Sequence, residues 1–287
     1  MGTANNGAAA DLLVIGGGMA GLTAGARAAR DGAHVVLVER APELGGSMVF
    51  ASNVWTTPTF EALRAVNPDG DPELGRALIE GFADGVEWIR SVGVHVGPEK
   101  QILRYGRGYA VDTSGYLRAC ERILRTAGAE ILTGAQPRSL IADDGVVRGA
   151  EVVLADGTVR PIEARSTVLT TGGFQANPDL RAEHIHSQAH GIELRAATNS
   201  VGTGLRLGLS VGGAFGKPGA GFYGHLVAAG VSLSDPALFG ELALFYSEHA
   251  LLFNTDGERF VWTDSAGRVL QLASPEKHLM AVRDSPP

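Results

Sequence analysis

The chain holds one cysteine, Cys120, so no internal disulfide can form, which fits a reducing compartment. Basic residues are outnumbered, 24 against 31 acidic, and the formal charge of -7 argues against a nucleic-acid partner, which calls for a basic patch. Apolar runs are short. None reaches the roughly 18 residues of a membrane-spanning helix, and the opening "MGTANNGAAA" lacks the basic and apolar regions of a secretion signal. These absences predict a soluble, cytoplasmic protein with no membrane or nucleic-acid partner. No grouping of histidine and cysteine suggests a metal.

What the chain has in excess is glycine. Forty in 287 residues is about twice the usual share of roughly 7%, without a collagen-like period, so tight turns and close backbone approaches are the expected cause. The 45% hydrophobic content is enough for a large core, in one big domain or two ordinary ones.

The glycines are ordered where it matters. Residues 11–15 form an apolar strand pattern, and Gly16, Gly18 and Gly21 follow as G-x-G-x-x-G where a helix should begin, with Gly25 and Gly32 further on. The first glycine permits a tight turn, the second lets backbone approach a pyrophosphate, and the third lets helix pack on strand. Met19 and Ala20 then open the helix, whose unpaired N–H groups face the phosphates. A second strand over 34–38 ends in Glu39, 18 residues beyond Gly21, placed to accept from ribose hydroxyls and to disfavour a 2′-phosphate. Strand, glycines, helix, strand and acid in that order predict a nucleotide-binding βαβ unit.

After Glu39 comes Arg40 and the loop "APELGGSMVF". The acid–base pair followed by G-G-S resembles the two-dinucleotide-binding-domain flavoproteins, in particular the fumarate reductase and succinate dehydrogenase flavoprotein family with its ketosteroid dehydrogenase relatives. The resemblance implies that the nucleotide is FAD, with Gly45, Gly46 and Ser47 beside the pyrophosphate and ribityl chain. It also implies a Rossmann-like α/β FAD-binding domain over residues 1–220 with an antiparallel β insertion, and part of a capping domain over 221–287.

Further stretches carry the likeness. Residues 71–94 place Leu74, Leu78, Phe82, Val86 and Ile89 at helical spacing, mostly core, ending near Gly93. A second helix follows, capped by Thr113 or Ser114. Asp-Gly turns at 144–145 and 156–157 join consecutive strands into an antiparallel layer. "STVLTTGGF" is similar to the family's strand and T-G-G-F segment, which implies that Thr171, Gly172 and Gly173 close over FAD. "NSVGTGLRLG" resembles its T-G-D-G helix start with Thr203 in place of the acid, and "LLFNTDGERF" its hairpin, turning at Asp256-Gly257.

The family moves a hydride between flavin and a carbon beside an activated carbon–carbon bond, with a proton-donating Arg and carboxylate clamps. The resemblance brings forward His225, eleven residues after Ala214, as a clamp on a small-molecule substrate, and Arg268 near the proton donor's position. Several positions depart from the pattern. Asn53-Val54, next to Trp55, stand where two flavin-facing glycines are usual. Pro137 sits where a backbone N–H and C=O should bind adenine, and proline has no N–H. The stretch from 262 onward shows no likeness, and the family's C-terminal flavin-cradling segment is not found before residue 287. Three readings stay open: a flavin oxidoreductase, a shortened FAD- or ADP-binding module without catalysis, and an inert remnant. A homo-oligomer is compatible with each.

Overall fold

The computed structural model describes residues 9–103 and 105–216 and, beyond them, 226–227, 233, 235–244, 251, 253, 257–259, 261–263 and 269–272. In chain order the elements are β1 (Ala10–Ile15), α1 (Met19–Arg30), β2 (Val35–Val38), β3 (Asn53–Thr56), α2 (Phe60–Val66), α3 (Pro72–Ser91), β4 (Val96–Ile102), β5 (Gly106–Val111) and α4 (Thr113–Thr126). There follow β6 (Glu130–Leu132), β7 (Gln136–Asp143), β8 (Val146–Val153), β9 (Val159–Leu169), α5 (Pro178–His184), α6 (Thr203–Ser210), β10 (Leu226–Val227), β11 (Ala243–Leu244), β12 (Val261–Thr263) and β13 (Val269–Leu272). Short 3-10 turns occupy Gly46–Phe50 and Ser187–Gly191.

The main sheet has six strands in the order β6-β2-β1-β9-β8-β7. β1 and β2 are parallel neighbours, and Leu12–Ile15 and Val35–Val38 read as unbroken apolar runs because both faces are covered. Side chains alternate across a strand, so Val14, Val35 and Leu37 enter one apolar cluster with α1 and α4, while Leu13, Ile15, Val36 and Val38 enter another with Ala150, Val152 and Ile162. The hairpins expected at the two Asp-Gly turns are present, with Asp144 and Gly145 both at positive φ, 47° and 76°. They continue the nucleotide-binding sheet rather than form a separate layer. β9 makes the junction: its first half pairs antiparallel with β8, from Val159 to Glu163, and its second half pairs parallel with β1, from Ala164 to Leu169. A separate antiparallel sheet, β3-β5-β4, lies after the second glycine loop.

Two helix expectations are corrected. In α3 only Val86 and Ile89 are buried, whereas Leu74 is 72% and Leu78 50% exposed. The N-terminal half of α3 packs on α2 through the side that carries Gly75, where an added Cβ would lie 3.1 Å from Leu63 and 3.3 Å from Phe60, and this turns Leu74 and Leu78 outward. α4 is capped not by Thr113 or Ser114 but by Asp112, whose carboxylate accepts from the Gly115 N–H at 2.8 Å. The Thr113 hydroxyl instead donates to the Ala51 carbonyl. In the last stretch Phe253 bridges Arg259 around Gly257, as the hairpin reading requires, and further on β12 pairs with β13, where no element was expected.

Under α1 the Tyr116 hydroxyl, with its ring fully buried, lies 2.6 Å from Thr23 Oγ1 and accepts from Trp88 Nε1 at 2.9 Å. Arg27 and Arg30 cover the Trp88 ring at 5.6 and 5.0 Å.

Two predictions follow from this packing. A Cβ added at Gly21 would lie 1.9 Å from the Gly16 carbonyl oxygen, whereas one added at Gly208 in α6 meets nothing within 4 Å. Gly21→Ala should therefore cost at least about 1–3 kcal/mol through overpacking, and Gly208→Ala should gain up to about 1 kcal/mol of helix stability. Urea midpoints measure both, and equal midpoints for the two variants would refute the close β1–α1 contact. The second prediction concerns alkali: burial pushes the Tyr116 phenol from 10.0 up to about 12. The folded state holds this proton where the unfolded chain has released it, so stability should fall by on the order of 2–3 kcal/mol as pH rises from about 10 to about 12. Denaturation curves of the protein and of Tyr116→Phe across this window should differ in slope by that amount.

Candidate cofactor site

Three parallel strands end at one place. β1 runs into Gly16–Gly18, β2 into Glu39 and Arg40, and β9 into Thr170–Gly173, with β1 between the other two. This carboxyl edge of a parallel sheet is where ligands sit in doubly wound folds. Gly16 has φ +112°, and a Cβ on it would lie 2.4 Å from the Thr170 carbonyl oxygen, so the first turn leaves no room for a side chain. The Thr170 hydroxyl donates to the carbonyls of Ile15 and Gly16 at 3.0 and 2.9 Å, fastening β9's exit to the turn.

Glu39 is 7% exposed at the end of β2. Its Oε2 accepts from the Gly17 N–H and its Oε1 from the Ala41 N–H, both at 2.7 Å. Its own N–H donates to Leu132 and its carbonyl accepts from Ala135. Each carboxylate oxygen has capacity for a further donor, as a ribose diol would supply.

The second glycine loop lies against the first. Gly45 donates to the Gly17 carbonyl at 2.9 Å and forms a parallel bridge with Gly18. Gly45 and Gly46 have φ of +127° and +52°, and Ser47 is exposed beside them. α1 begins at Gly18 without a side-chain cap, so the amides of Met19, Ala20 and Gly21 open the helix toward this loop with no acid of the chain in the first turn. A Cβ on Gly18 would meet only the Gly45 carbonyl oxygen, at 3.8 Å. Among the described residues nothing demands glycine there; the space beside an uncapped helix start is what a pyrophosphate needs. The residues present therefore fit a dinucleotide.

The remaining candidates fall around this centre. Thr171 Oγ1 accepts from the Gly204 N–H at 2.9 Å and fixes the start of α6. Gly172 has φ +72° and lies close to Ser200, and Gly173 accepts from Gly202. Thr203, the buried first residue of α6, accepts from half-buried Arg40 at 3.2 Å, so the ends of β2 and α6 are joined. A cavity of about 570 Å³ between β7 and α6 brings Thr203 together with Pro137, which is buried on the edge strand β7, a position where proline is tolerated. Asn53, Val54 and Trp55 form β3 and line a larger groove with Met19; the Asn53 Oδ1 is buried without a partner among the described residues. His225 and Arg268 lie outside the described residues. Two participants were not singled out by the sequence: Gly17, whose Cβ would strike Leu44 at 2.5 Å, and Thr170, which opens the T-T-G-G-F stretch. The run of three glycines at 16–18 is the only hint of the former.

This arrangement defines a dinucleotide-binding flavoprotein fold. The FAD binding domain family matches residues 11–284, and the chain belongs to that family, with FAD as its cofactor. The match takes in the stretch from 262 that looked foreign in sequence and corrects that reading. A vinyl phenol reductase of Lactiplantibacillus plantarum is 24% identical over 88% of this chain and 56% of its own length. A fumarate reductase (cytochrome) of Shewanella frigidimarina is 26% identical over 88% of the chain and 47% of its own length. The chain thus spans about half the length of these curated relatives. Among solved structures, 3-ketosteroid delta1-dehydrogenase from Sterolibacterium denitrificans superposes with a TM-score of 0.71 at 15% identity, over 88% of this chain and 63% of that one. The open conformation of a flavocytochrome c3 fumarate reductase gives 0.65 at 23%, over 72% and 41%. The described helices include none long and apolar enough to cross a membrane.

Gly18 and Gly21 separate what the fold needs from what the ligand needs. Gly18→Ala should leave the apo-protein's stability within about 0.5 kcal/mol. It should weaken FAD binding at least about tenfold, or 1.4 kcal/mol, in a calorimetric titration. Unchanged FAD affinity would remove this loop from the phosphate site.

Proposed function

We propose that this chain is the FAD-holding part of an oxidoreductase that moves a hydride between the flavin and a carbon of a carbon–carbon bond in a small-molecule substrate. The observation that carries the cofactor half is the uncapped start of α1 facing the Gly45–Ser47 loop, with space at Gly18 that only a ligand explains. The reaction is drawn from the relatives, a vinyl phenol reductase and fumarate reductases, which share reduction of a carbon–carbon double bond.

Within this reading the α1 amides and Gly46 hold the pyrophosphate, and Glu39 orients the adenosine ribose while keeping its two backbone bonds. Pro137, Arg40 and Thr203 border the adenine end, where Pro137 offers a carbonyl but no N–H. Thr171 and Gly172 close the far side through their ties to α6. FAD, once bound, supplies reversible hydride transfer. Residues 1–220 make up the FAD domain and 221–287 a portion of the capping domain, from which His225 clamps the substrate and Arg268 hands over the proton.

A second reading is a domain that keeps FAD or its ADP half without turnover. It is favoured by Asn53 and Val54, which put side chains on β3 where two glycines would leave the flavin face open. Anaerobic reduction of the FAD-loaded chain, followed by mixing with fumarate and with 4-vinylphenol, separates the two. Flavin reoxidation faster than that of free reduced flavin, and lost in His225→Ala, is expected of the enzyme. Reoxidation no faster than free flavin with both acceptors would leave the binding module.

A further inference from the structure

A groove of about 720 Å³ lies between α1, α3 and β3; the FAD reading uses its Met19 and β3 end and gives its α3 wall no task. Its walls are mostly apolar: Phe82, Val86 and Ile89 from α3, Met19 from α1, with Trp88 and Tyr116 at its base. At its rim Leu78 is 50% exposed, and one turn further out Leu74 is 72% exposed. So much apolar surface on one helix face of a water-exposed domain marks a contact surface.

Charge points to the occupant. One edge of α3 is acidic, with Glu73 and Glu80 exposed and Asp84 exposed at the groove, whereas the α1 wall of the groove ends in exposed Arg27, with Arg30 one turn on and bonded to Ser91. Arg27 lies over the Trp88 ring and pairs with its neighbour Asp31 at 3.4 Å, but both groups of that pair are about two-thirds exposed, so Arg27 keeps donors open to a further acid. An α3 helix laid in this groove would set its acidic edge over Arg27. The helix is also complementary to itself in shape. Gly81 and Gly85 line the groove, and a Cβ on either meets nothing within 4 Å. In antiparallel alignment, Leu78 over Gly85 of the partner subunit brings Phe82 over the partner's Gly81, large against small at both positions.

We propose that the groove docks the α3 helix of a second copy of this chain, so that the protein is a two-fold dimer paired through α3. The two-fold places each α3 between α1 and α3 of the other copy, and every contact occurs twice. The burial of Leu74 and Leu78 and the pairing of the acidic edge with Arg27 hold it together.

The test is sedimentation of the full chain, supplied with FAD, across about a hundredfold range of protein concentration. The mass should approach twice 29.8 kDa, and Leu78→Glu should raise the dimer dissociation constant at least about tenfold. Gly85→Leu is the companion variant: it adds bulk to open space in the monomer and should keep or raise the thermal midpoint while abolishing the dimer. Arg27→Glu and Asp84→Arg should each weaken the dimer and together restore it. Val146→Glu, at an exposed position on β8 far from α3, should change nothing. A monomer throughout the concentration range, or a dimer that survives both Leu78→Glu and Gly85→Leu, would overturn the proposal.

Discussion

The carboxylate of Glu39 is the fixture on which the site depends. One oxygen takes the Gly17 amide and the other the Ala41 amide, so a single buried side chain sets the geometry of the turn after β1 and of the chain leaving β2. Hydrogen bonds to an ionised acceptor are about twice as strong as neutral ones, and both amides would otherwise lack a partner in a region with little water. With the turn so fixed, Gly45 can reach the Gly17 carbonyl, the second glycine loop settles against the first, and the start of α1 is presented to open space. The acid that reads as a ribose ligand in the sequence is thus first a brace for the phosphate loop.

Much of this centre was legible because it is local. Gly16, Gly18, Gly21 and Glu39 lie within 24 residues, and the reason each residue type is required there belongs to the βαβ unit itself. The parallel strands were equally plain, since Val35–Val38, covered on both faces, cannot carry a polar residue. The rest depended on partners far along the chain. Nothing in the period of α3 tells that its N-terminal half packs on α2 through Gly75, so Leu74 and Leu78 read as core. The bond from Arg40 to Thr203 crosses 163 positions, and no spacing rule reaches so far. At α4 the choice between Asp112, Thr113 and Ser114 turned on which side chain had another partner, and Thr113 was drawn away by Ala51.

The departures from the family pattern have different weights in the structure. Thr203 in place of an acid still finds Arg40, so the link between β2 and α6 persists with a hydroxyl where a charge is usual. Pro137 lies on an edge strand that accepts it. Asn53 is the costlier change, because among the described residues its buried Oδ1 finds no donor at the wall of the groove. Buried acceptors in that condition are uncommon in folded proteins and set the β3 strand apart from the well-satisfied loop before it.

β9 carries a consequence for how the chain tolerates insertion. One half of the strand is held by β8 and the other by β1, and the strand runs straight into Thr170 and the turn at Gly16. A residue added at the β7–β8 tip would be absorbed in solvent. A residue added between Glu163 and Ala164 would leave the hairpin in register and turn every side chain beyond it to the opposite face, exchanging core for surface along β1. The junction is therefore a seam across which length cannot vary, and drift in chain length within this fold should gather on the hairpin side of it.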